Sequence, residues 1–582
     1  MATEELVTEQ FQFLGVEVSK EVLTKCVSLC AEYDVDAETF IEQWMAFSLT
    51  TLNGAPPSLE NLELLEKREF SKRSASRLNA NEVECSSTGA SLTVYGAPAT
   101  IQSQDEVLSN YIATTPKRVK LEKTEQNKTH NNELHPATYS PNVDHSDKYN
   151  SRTNQGLVVH SFGDEKLLSD IALPASLHDV LDLNITQTPN DDGDLYTKAM
   201  FGFELLHEKA GLFDSHISYI SESIMKKNGF SESSSVRHKT QTDVYVAGRI
   251  ECDADARLNS KSVVLQGTWK ESLSQAVSVD LDSVKQYSLY PGQAVVMRGT
   301  NPRGNKFIAQ EVYSDASRPL LDYKADMMNV LKGTMSMVVA AGPYTTSNNL
   351  AYGPLKDFIK YIGAHKPHVV IMTGPFLDCD HVKVKDHSMA ETYKSFFEKL
   401  LDSLGEISTT SPFTKIYIVS SSKDAFNMNV YPTPPYTSRR KHANIHFVPD
   451  PCTLNINGVY VGVTSTDVLM SISQEEISLG MGGDKLSRLA GHLLTQQCYY
   501  PLWPTTQPVE AALWAAHAQF SVTPHFLVLP SNFKYFVKMV NGSVVVNPER
   551  LSKGSGGGTF ARILVTPNSN PPDGIAAQIV RI

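Results

Sequence analysis

The chain has 582 residues, a formal net charge of −12 and 41% hydrophobic residues, enough apolar material for roughly two to four cored domains. No apolar run reaches the roughly 18 residues of a membrane span, and the acidic start Met1-Ala2-Thr3-Glu4-Glu5 lacks a signal-peptide profile. The acidity argues against tight independent DNA binding, and seven scattered cysteines without a C-x-x-C pair argue for reduced thiols and against structural zinc.

Residues 1–71 carry helical periodicity behind three candidate caps. Ser19 precedes the stripe Val22, Leu23, Cys26, Val27 and Cys30; Asp36 precedes Phe40, Ile41, Trp44 and Phe47; Ser58 precedes Leu59, Leu62 and Leu65. Short amphipathic helices of this kind are expected to form a small bundle that docks other proteins from a tether. Residues 72–155 are the expected tether: rich in Ser, Thr, Asn and charge, they cannot bury enough apolar area to offset the entropy of ordering. Within them Thr115-Pro116-Lys117-Arg118-Val119-Lys120 fits two signals at once. Thr115 is a candidate proline-directed phosphorylation site, and Lys117, Arg118 and Lys120 form a candidate nuclear import signal. A phosphate there would set about −1.5 to −2 charges beside three basic residues. Ser140, followed by Pro141, is a second phosphorylation candidate. The expected location is the nucleus.

Residues 156–237 read as a connecting, partly helical region that includes Ile217, Ile220 and Ile224. Residues 238–318 carry five short strand patterns with Gly-rich turns, which suits a small barrel of the OB type. A barrel that grips single strands needs stacking aromatics and a basic groove. Between Gln241 and Asp315 there are nine acidic and eight basic side chains, and few aromatics lie on the strands. The balance favours protein binding, with little independent DNA binding.

From 319 to 582 strands alternate with helical stretches, an α/β pattern. Strand patterns at 337–341, 369–373, 416–419 and 526–529 end in segments that resemble calcineurin-like phosphoesterases stripped of their metal ligands. Those enzymes end the corresponding strands in D-x-H, G-D-x-x-D, G-N-H-D or G-N-H-E, and G-H-x-H. Here the ends are Gly342-Pro343-Tyr344-Thr345, Gly374-Pro375-Phe376-Leu377-Asp378, Ser420-Ser421-Ser422-Lys423-Asp424 and Pro530-Ser531-Asn532-Phe533. Pro375 stands where a carboxylate would bridge two metals about 3.5–4 Å apart, and Ser422 and Lys423 stand where Asn and the catalytic His would be. Asp378 and Asp424 remain, each at the outer end of its motif, where a carboxylate commonly caps backbone N–H groups. The expectation is a phosphoesterase-like domain with no metal, no cofactor and no catalysis.

An OB barrel followed by a ligand-depleted phosphoesterase domain resembles the B-subunit family of replicative DNA polymerases, in the branch that serves polymerase alpha–primase. The segments that carry the resemblance are Ala341-Gly342-Pro343-Tyr344-Thr345-Thr346, Gly374-Pro375-Phe376-Leu377-Asp378, Val463-Thr464-Ser465-Thr466-Asp467, Thr495-Gln496-Gln497-Cys498-Tyr499-Tyr500-Pro501-Leu502, Gly557-Gly558-Thr559-Phe560-Ala561-Arg562 and Val580-Arg581-Ile582. It spans the whole chain. It implies a non-catalytic scaffold whose barrel and phosphoesterase-like domain grip the C-terminal domain of the polymerase alpha catalytic subunit. Primase subunits share that complex, and the N-terminal bundle tethers it to other replisome proteins. Two other readings are open from sequence: a working phosphoesterase that recruits Asp378, Asp380, His381 and Asp424, and an independent single-strand DNA binder.

Overall fold

The computed structural model describes residues 147–174, 183–188, 196, 201–321, 334–566 and 574–582, together with 7, 8, 11, 18–33, 40, 41, 43–45, 47, 48 and 57–66. Asp36, Thr115, Lys117, Arg118, Lys120 and Ser140 lie outside the described residues. Ser19 heads the helix Lys20–Tyr33, accepting from the Val22 N–H at 3.4 Å, and Val22, Cys26, Leu29 and Cys30 are buried. Ser58 caps Leu59–Leu65 by accepting from the Asn61 N–H at 3.3 Å, with Leu62 and Leu65 buried.

Five strands close the barrel in the spatial order Thr240–Cys252, Val263–Gly267, Ala276–Asp280, Lys306–Tyr313 and Ala294–Asn301. Ala276–Asp280 and Lys306–Tyr313 run parallel and the other neighbours antiparallel. The period of two puts Val246, Ile250, Val263, Leu265, Val277, Val279, Val295, Met297 and Phe307 inside. The helix Leu206–Asn228 lays Ile217, Ile220 and Ile224 on Ala247, Ala294 and Val296 from outside, and ends at Gly229 in the left-handed conformation (φ 69°).

The remaining strands form two stacked sheets. One has seven strands in the order Val158–Gly163, Ile575–Arg581, Thr559–Val565, Met335–Ala341, Val369–Thr373, Lys415–Val419 and Ile445–Val448; the last four are parallel. The other has six, in the order Phe536–Val540, Ser543–Asn547, Phe526–Val528, Val459–Val463, Cys452–Ile456 and Ile185–Thr188. Alternate side chains decide the layers. Met337, Val339, Ile371 and Val419 join Leu454, Val461, Val528 and Val546 in the core that includes both sheets. Val338, Ala340, Val370 and Met372 pack with Phe358 and Ile362 of Gly353–His365 and with Phe397, Leu401 and Leu404 of Tyr393–Gly405.

Two expectations from the sequence change here. Residues 156–237 do more than connect: Val158–Gly163 pairs antiparallel with Ile575–Arg581, and Ile185–Thr188 with Cys452–Ile456. Short edge strands are stabilised by partners hundreds of residues away, so the local pattern is weak. The stretch read as tether to residue 155 also ends early. Tyr149 is buried, its hydroxyl donates to Asp357 at 2.9 Å, and Arg152 pairs with Asp357 and donates from Nε to the Ile582 carbonyl at 3.0 Å.

Barrel and sheets are joined by named bonds. Tyr287–Leu289 pairs with Ile477–Leu479. Beside that pair the buried Glu476 carboxylate accepts from Arg488 Nε and Nη2 at 2.8 and 3.1 Å and lies 3.0 Å from His492 Nε2, while Ser288 Oγ donates to it. Burial alone would raise this carboxyl, but the hydrogen bonds from His492, Arg488 and Ser288 hold it well below the usual carboxylate range. Pro291 accepts from the Trp503 N–H at 3.0 Å, and a Cβ on Gly292 (φ +97°) would lie 2.3 Å from the Trp503 nitrogen. Among the described residues no helix is long and apolar enough to cross a membrane.

Candidate functional site

The parallel strands of the larger sheet end together at one cleft, the position at which open α/β sheets bind ligands. Gly342 and Gly374 govern its floor. A Cβ on Gly342 would lie 2.0 Å from the Pro375 carbonyl oxygen, and one on Gly374 would lie 2.6 Å from Ser421 Cβ and 2.7 Å from Asp424 Oδ2. Both strand ends therefore press onto their neighbours in a way that requires glycine. Aromatic rings fill the space beneath: Tyr344 stacks on Phe376 at 4.6 Å, and the Tyr352 hydroxyl donates to the Phe376 carbonyl at 2.6 Å.

Asp424 is buried under this floor. One carboxylate oxygen accepts from the Phe376 and Leu377 N–H groups at 2.7 and 2.6 Å, and the other accepts from the Tyr436 hydroxyl. Burial pushes its carboxyl up to about 7, against the lowering effect of those hydrogen bonds. Asp378, which forms an isolated antiparallel bridge with Asp424, accepts from the Asp380 N–H at 2.9 Å. Asp380 pairs with Lys385 at 2.9 Å. The His381 ring accepts from the Lys383 N–H at Nδ1 (3.1 Å), so the proton sits on Nε2 and is donated to the Thr346 carbonyl at 3.2 Å. Asp378, Cys379 and Asp380 place donor atoms within 4.8 Å of one another on a largely exposed turn. The four residues of the rearranged-ligand reading are thus engaged in capping, turn and ion-pair bonds.

Pro375, Asp378 and Lys423 line the same cleft, with Asp380, His381, Lys385, Asn532 and Arg550. Ser422 shares the turn with Lys423 but does not line it. The sequence reading missed Arg550. This guanidinium, largely buried, donates to the Gly342 carbonyl at 3.4 Å and to Asn532 Oδ1 at 3.3 Å, and lies 3.7 Å from Asp467. Asp467 in turn caps Val468–Glu475 through the Met470 N–H (3.1 Å) and accepts from the Asn532 N–H at 2.8 Å. A carboxylate-rich metal centre would have cations supplied from solution; here the protein supplies its own.

Asp450 was also missed. Fully buried, it accepts from Thr464 Oγ1 (2.7 Å), Ser465 N (2.8 Å), Ser465 Oγ (2.6 Å) and Thr466 Oγ1 (3.0 Å). Burial raises its carboxyl, and these four bonds oppose the shift. The hydroxyl-rich run Thr464-Ser465-Thr466 after a strand was the available signal.

Known proteins resemble this chain along its whole length. A family model for the B subunit of DNA polymerases alpha and epsilon matches residues 337–538. A second, for the OB domain of the DNA polymerase alpha B subunit, matches 210–315, and a third, for the N-terminal part of that same B subunit, matches 4–72. The Mus musculus DNA polymerase alpha B subunit is 32% identical over the full length of both chains. Its Drosophila melanogaster counterpart is 30% identical, again over the full length of both. The chain belongs to the B-subunit family of DNA polymerase alpha. The resemblance to the B-subunit family stands, and the OB match encloses the five barrel strands and most of the helix Leu206–Asn228. Several family-bearing motifs are structural joints: Gln496 bonds the barrel, Thr464 to Thr466 cradle Asp450, and Arg562 donates to Gln578 at 2.9 Å.

Proposed function

We propose that this chain is a non-catalytic accessory subunit of DNA polymerase alpha, acting in DNA replication, and that its two-sheet domain is a phosphoesterase scaffold that has lost its metal centre. The donor set carries this reading. A two-metal hydrolase needs a bridging carboxylate and a ring of carboxylate and imidazole donors. At the strand ends this chain places Pro375, Lys423 and the Arg550 guanidinium, while Asp424 is held under the floor by two backbone N–H groups and Tyr436. Such residues do not fit a dinuclear metal centre, and no hydrolytic step is assigned to them. A surface released from catalysis is available as an interface.

The barrel and the scaffold together are the proposed grip on the C-terminal domain of the catalytic subunit, in a complex that also holds the primase subunits. Full-length similarity to DNA polymerase alpha B subunits supports it, as does the bonded junction at Glu476, Gln496 and Trp503, which lets two domains present one surface. The N-terminal helices are the proposed dock for other replisome proteins. Residues 72–146 supply the proposed tether, with import through Lys117, Arg118 and Lys120 into the nucleus and phosphorylation at Thr115 and Ser140.

Co-expression with a tagged polymerase alpha catalytic subunit tests this. A complex of equal stoichiometry that survives gel filtration, and is lost when that subunit's C-terminal domain is deleted, is the expected result. Failure to co-purify would overturn the assignment.

A further inference from the structure

One end of the barrel carries positive charge that the acidic chain as a whole does not. Residues 236–239 read Val-Arg-His-Lys and residues 302–306 read Pro-Arg-Gly-Asn-Lys: four basic side chains and no acidic one in nine residues, in a chain of net charge −12. The fold brings the two segments together through Asn301, which is 1% exposed. Its Nδ2 donates to the Val236 carbonyl at 3.0 Å and its Oδ1 accepts from the Gly304 N–H at 2.7 Å. Gly304 adopts φ +79°, and a Cβ there would lie 2.9 Å from Lys239 Cγ and 3.2 Å from the Arg237 carbonyl oxygen. The glycine lets the Arg303 turn pass directly against the Arg237–Lys239 turn.

The charges on this corner are largely uncommitted. Arg237 donates from Nε to the Ala276 carbonyl at 3.0 Å, which anchors the guanidinium and leaves both Nη groups unbonded to protein among the described residues. Lys239 and Arg303 are exposed, and their side chains have no hydrogen-bond or ion-pair partner among the described residues. Lys306 pairs with Asp280 at 2.7 Å, with Asp282 nearby. Those are the carboxylates facing the corner at Lys306; none is paired with Arg237, Lys239 or Arg303.

We propose that this corner, formed by Arg237, Lys239 and Arg303 on the turns that Asn301 staples together, contacts the phosphate backbone of a nucleic acid strand. The corner carries cations without an aromatic platform: no Phe, Tyr or Trp occurs in either segment. That combination suits sequence-independent phosphate contact and not base stacking. The surrounding acidity makes the binding weak for the isolated chain and confines it to this end of the barrel. It matters once a partner holds the strand nearby, because a tethered strand reaches a high effective concentration. The inference goes beyond the accessory-subunit reading and needs no catalytic partner to be tested.

The test is fluorescence anisotropy of the full-length chain with labelled oligo-dT and with a labelled duplex, from 50 to 200 mM NaCl. Wild type is expected to bind weakly, with an affinity that falls steeply with salt. In Arg237→Ala/Lys239→Ala/Arg303→Ala the affinity at 50 mM falls about tenfold or more, and the log–log salt slope shrinks by about 2, near 0.7 per lost contact on a single strand. Arg303→Glu alone lies on an exposed turn and lowers affinity without shifting the unfolding temperature. Unchanged affinity and slope in the triple variant would overturn the proposal. So would an equal loss in the distant pair Lys356→Ala/Lys366→Ala, or displacement of the oligonucleotide by polyglutamate at equal charge concentration, which would assign the corner to an acidic protein.

Discussion

The side-chain amide of Gln496 bonds Ala294 as a neighbouring strand would: its Oε1 accepts from the Ala294 N–H at 2.8 Å and its Nε2 donates to the Ala294 carbonyl at 3.0 Å. The same Nε2 reaches the Ser314 carbonyl at 2.9 Å. One residue outside the barrel thus satisfies both backbone groups at the start of a barrel strand. Gln496→Leu removes all three bonds and leaves buried peptide groups unpaired, at about 1–3 kcal/mol for each orphaned group. The expected outcome in calorimetry is a split of one unfolding transition into two, as barrel and sheets uncouple. A single transition at the wild-type temperature would show that this clasp does not join them.

The Glu476 cluster gives the same junction a pH dependence. Although burial opposes ionisation, His492, Arg488 and Ser288 hold the carboxyl below its unfolded value, so it stabilises the fold above the unfolded pKa of about 4.3. That contribution is lost as pH falls through and below that value. Glu476→Gln should cost about 3–5 kcal/mol at neutral pH, because it leaves the Arg488 guanidinium without its counter-charge. Its stability should also fall less steeply than wild type on acidification below about pH 5. Denaturant titrations across pH read both effects.

Asp424 runs in the opposite direction. With its folded carboxyl near pH 7, the native state keeps a proton that the unfolded chain releases above about pH 4. Stability contributed by this group therefore declines as pH rises from about 4 to about 7. Asp424→Asn keeps an acceptor for the Phe376 and Leu377 N–H groups and should flatten that decline. Asp424→Ala orphans both N–H groups and should destabilise by about 3 kcal/mol or more. If the two variants unfold alike, the capping role is wrong.

Much of this was readable in advance and some was not. The barrel strands, the parallel strands and the paired closing strands carried strong local patterns, so their existence was legible. That the Gly-Pro strand ends lack carboxylate and imidazole side chains was legible, because it is a matter of residue type. What the residues around them do in the fold was not legible. Arg550 reaches Gly342 from 208 positions away, and Val158–Gly163 is a strand because Ile575–Arg581 lies beside it. Long-range partners of this kind leave no periodic trace. Asp378 and Asp424 show the difference well: both are acidic and near the cleft, but only the fold shows one carboxylate buried on two amides and the other spent on its own turn.

Exposed apolar side chains near the start of the helix Leu206–Asn228 and on the adjoining barrel turn bear on behaviour without a partner. Phe203, Leu206, Trp269 and Leu273 are all largely exposed, and patches of this kind favour association. The chain expressed alone should therefore self-associate as its concentration rises and bind a hydrophobic dye. Phe203→Ser/Leu206→Ser/Trp269→Ser should raise the monodisperse yield at gel filtration while changing stability by less than about 1 kcal/mol, since the residues touch little. Equal yields from both proteins would remove these residues from the explanation.

The cleft at Pro375, Lys423 and Arg550 is proposed to do no chemistry. This is tested most directly by phosphodiester hydrolysis with the purified full-length chain in millimolar Mn²⁺. Turnover no higher than in buffer, unchanged in Asp378→Ala, is the expected result. Metal-dependent hydrolysis by the wild type that disappears in Asp378→Ala would contradict it.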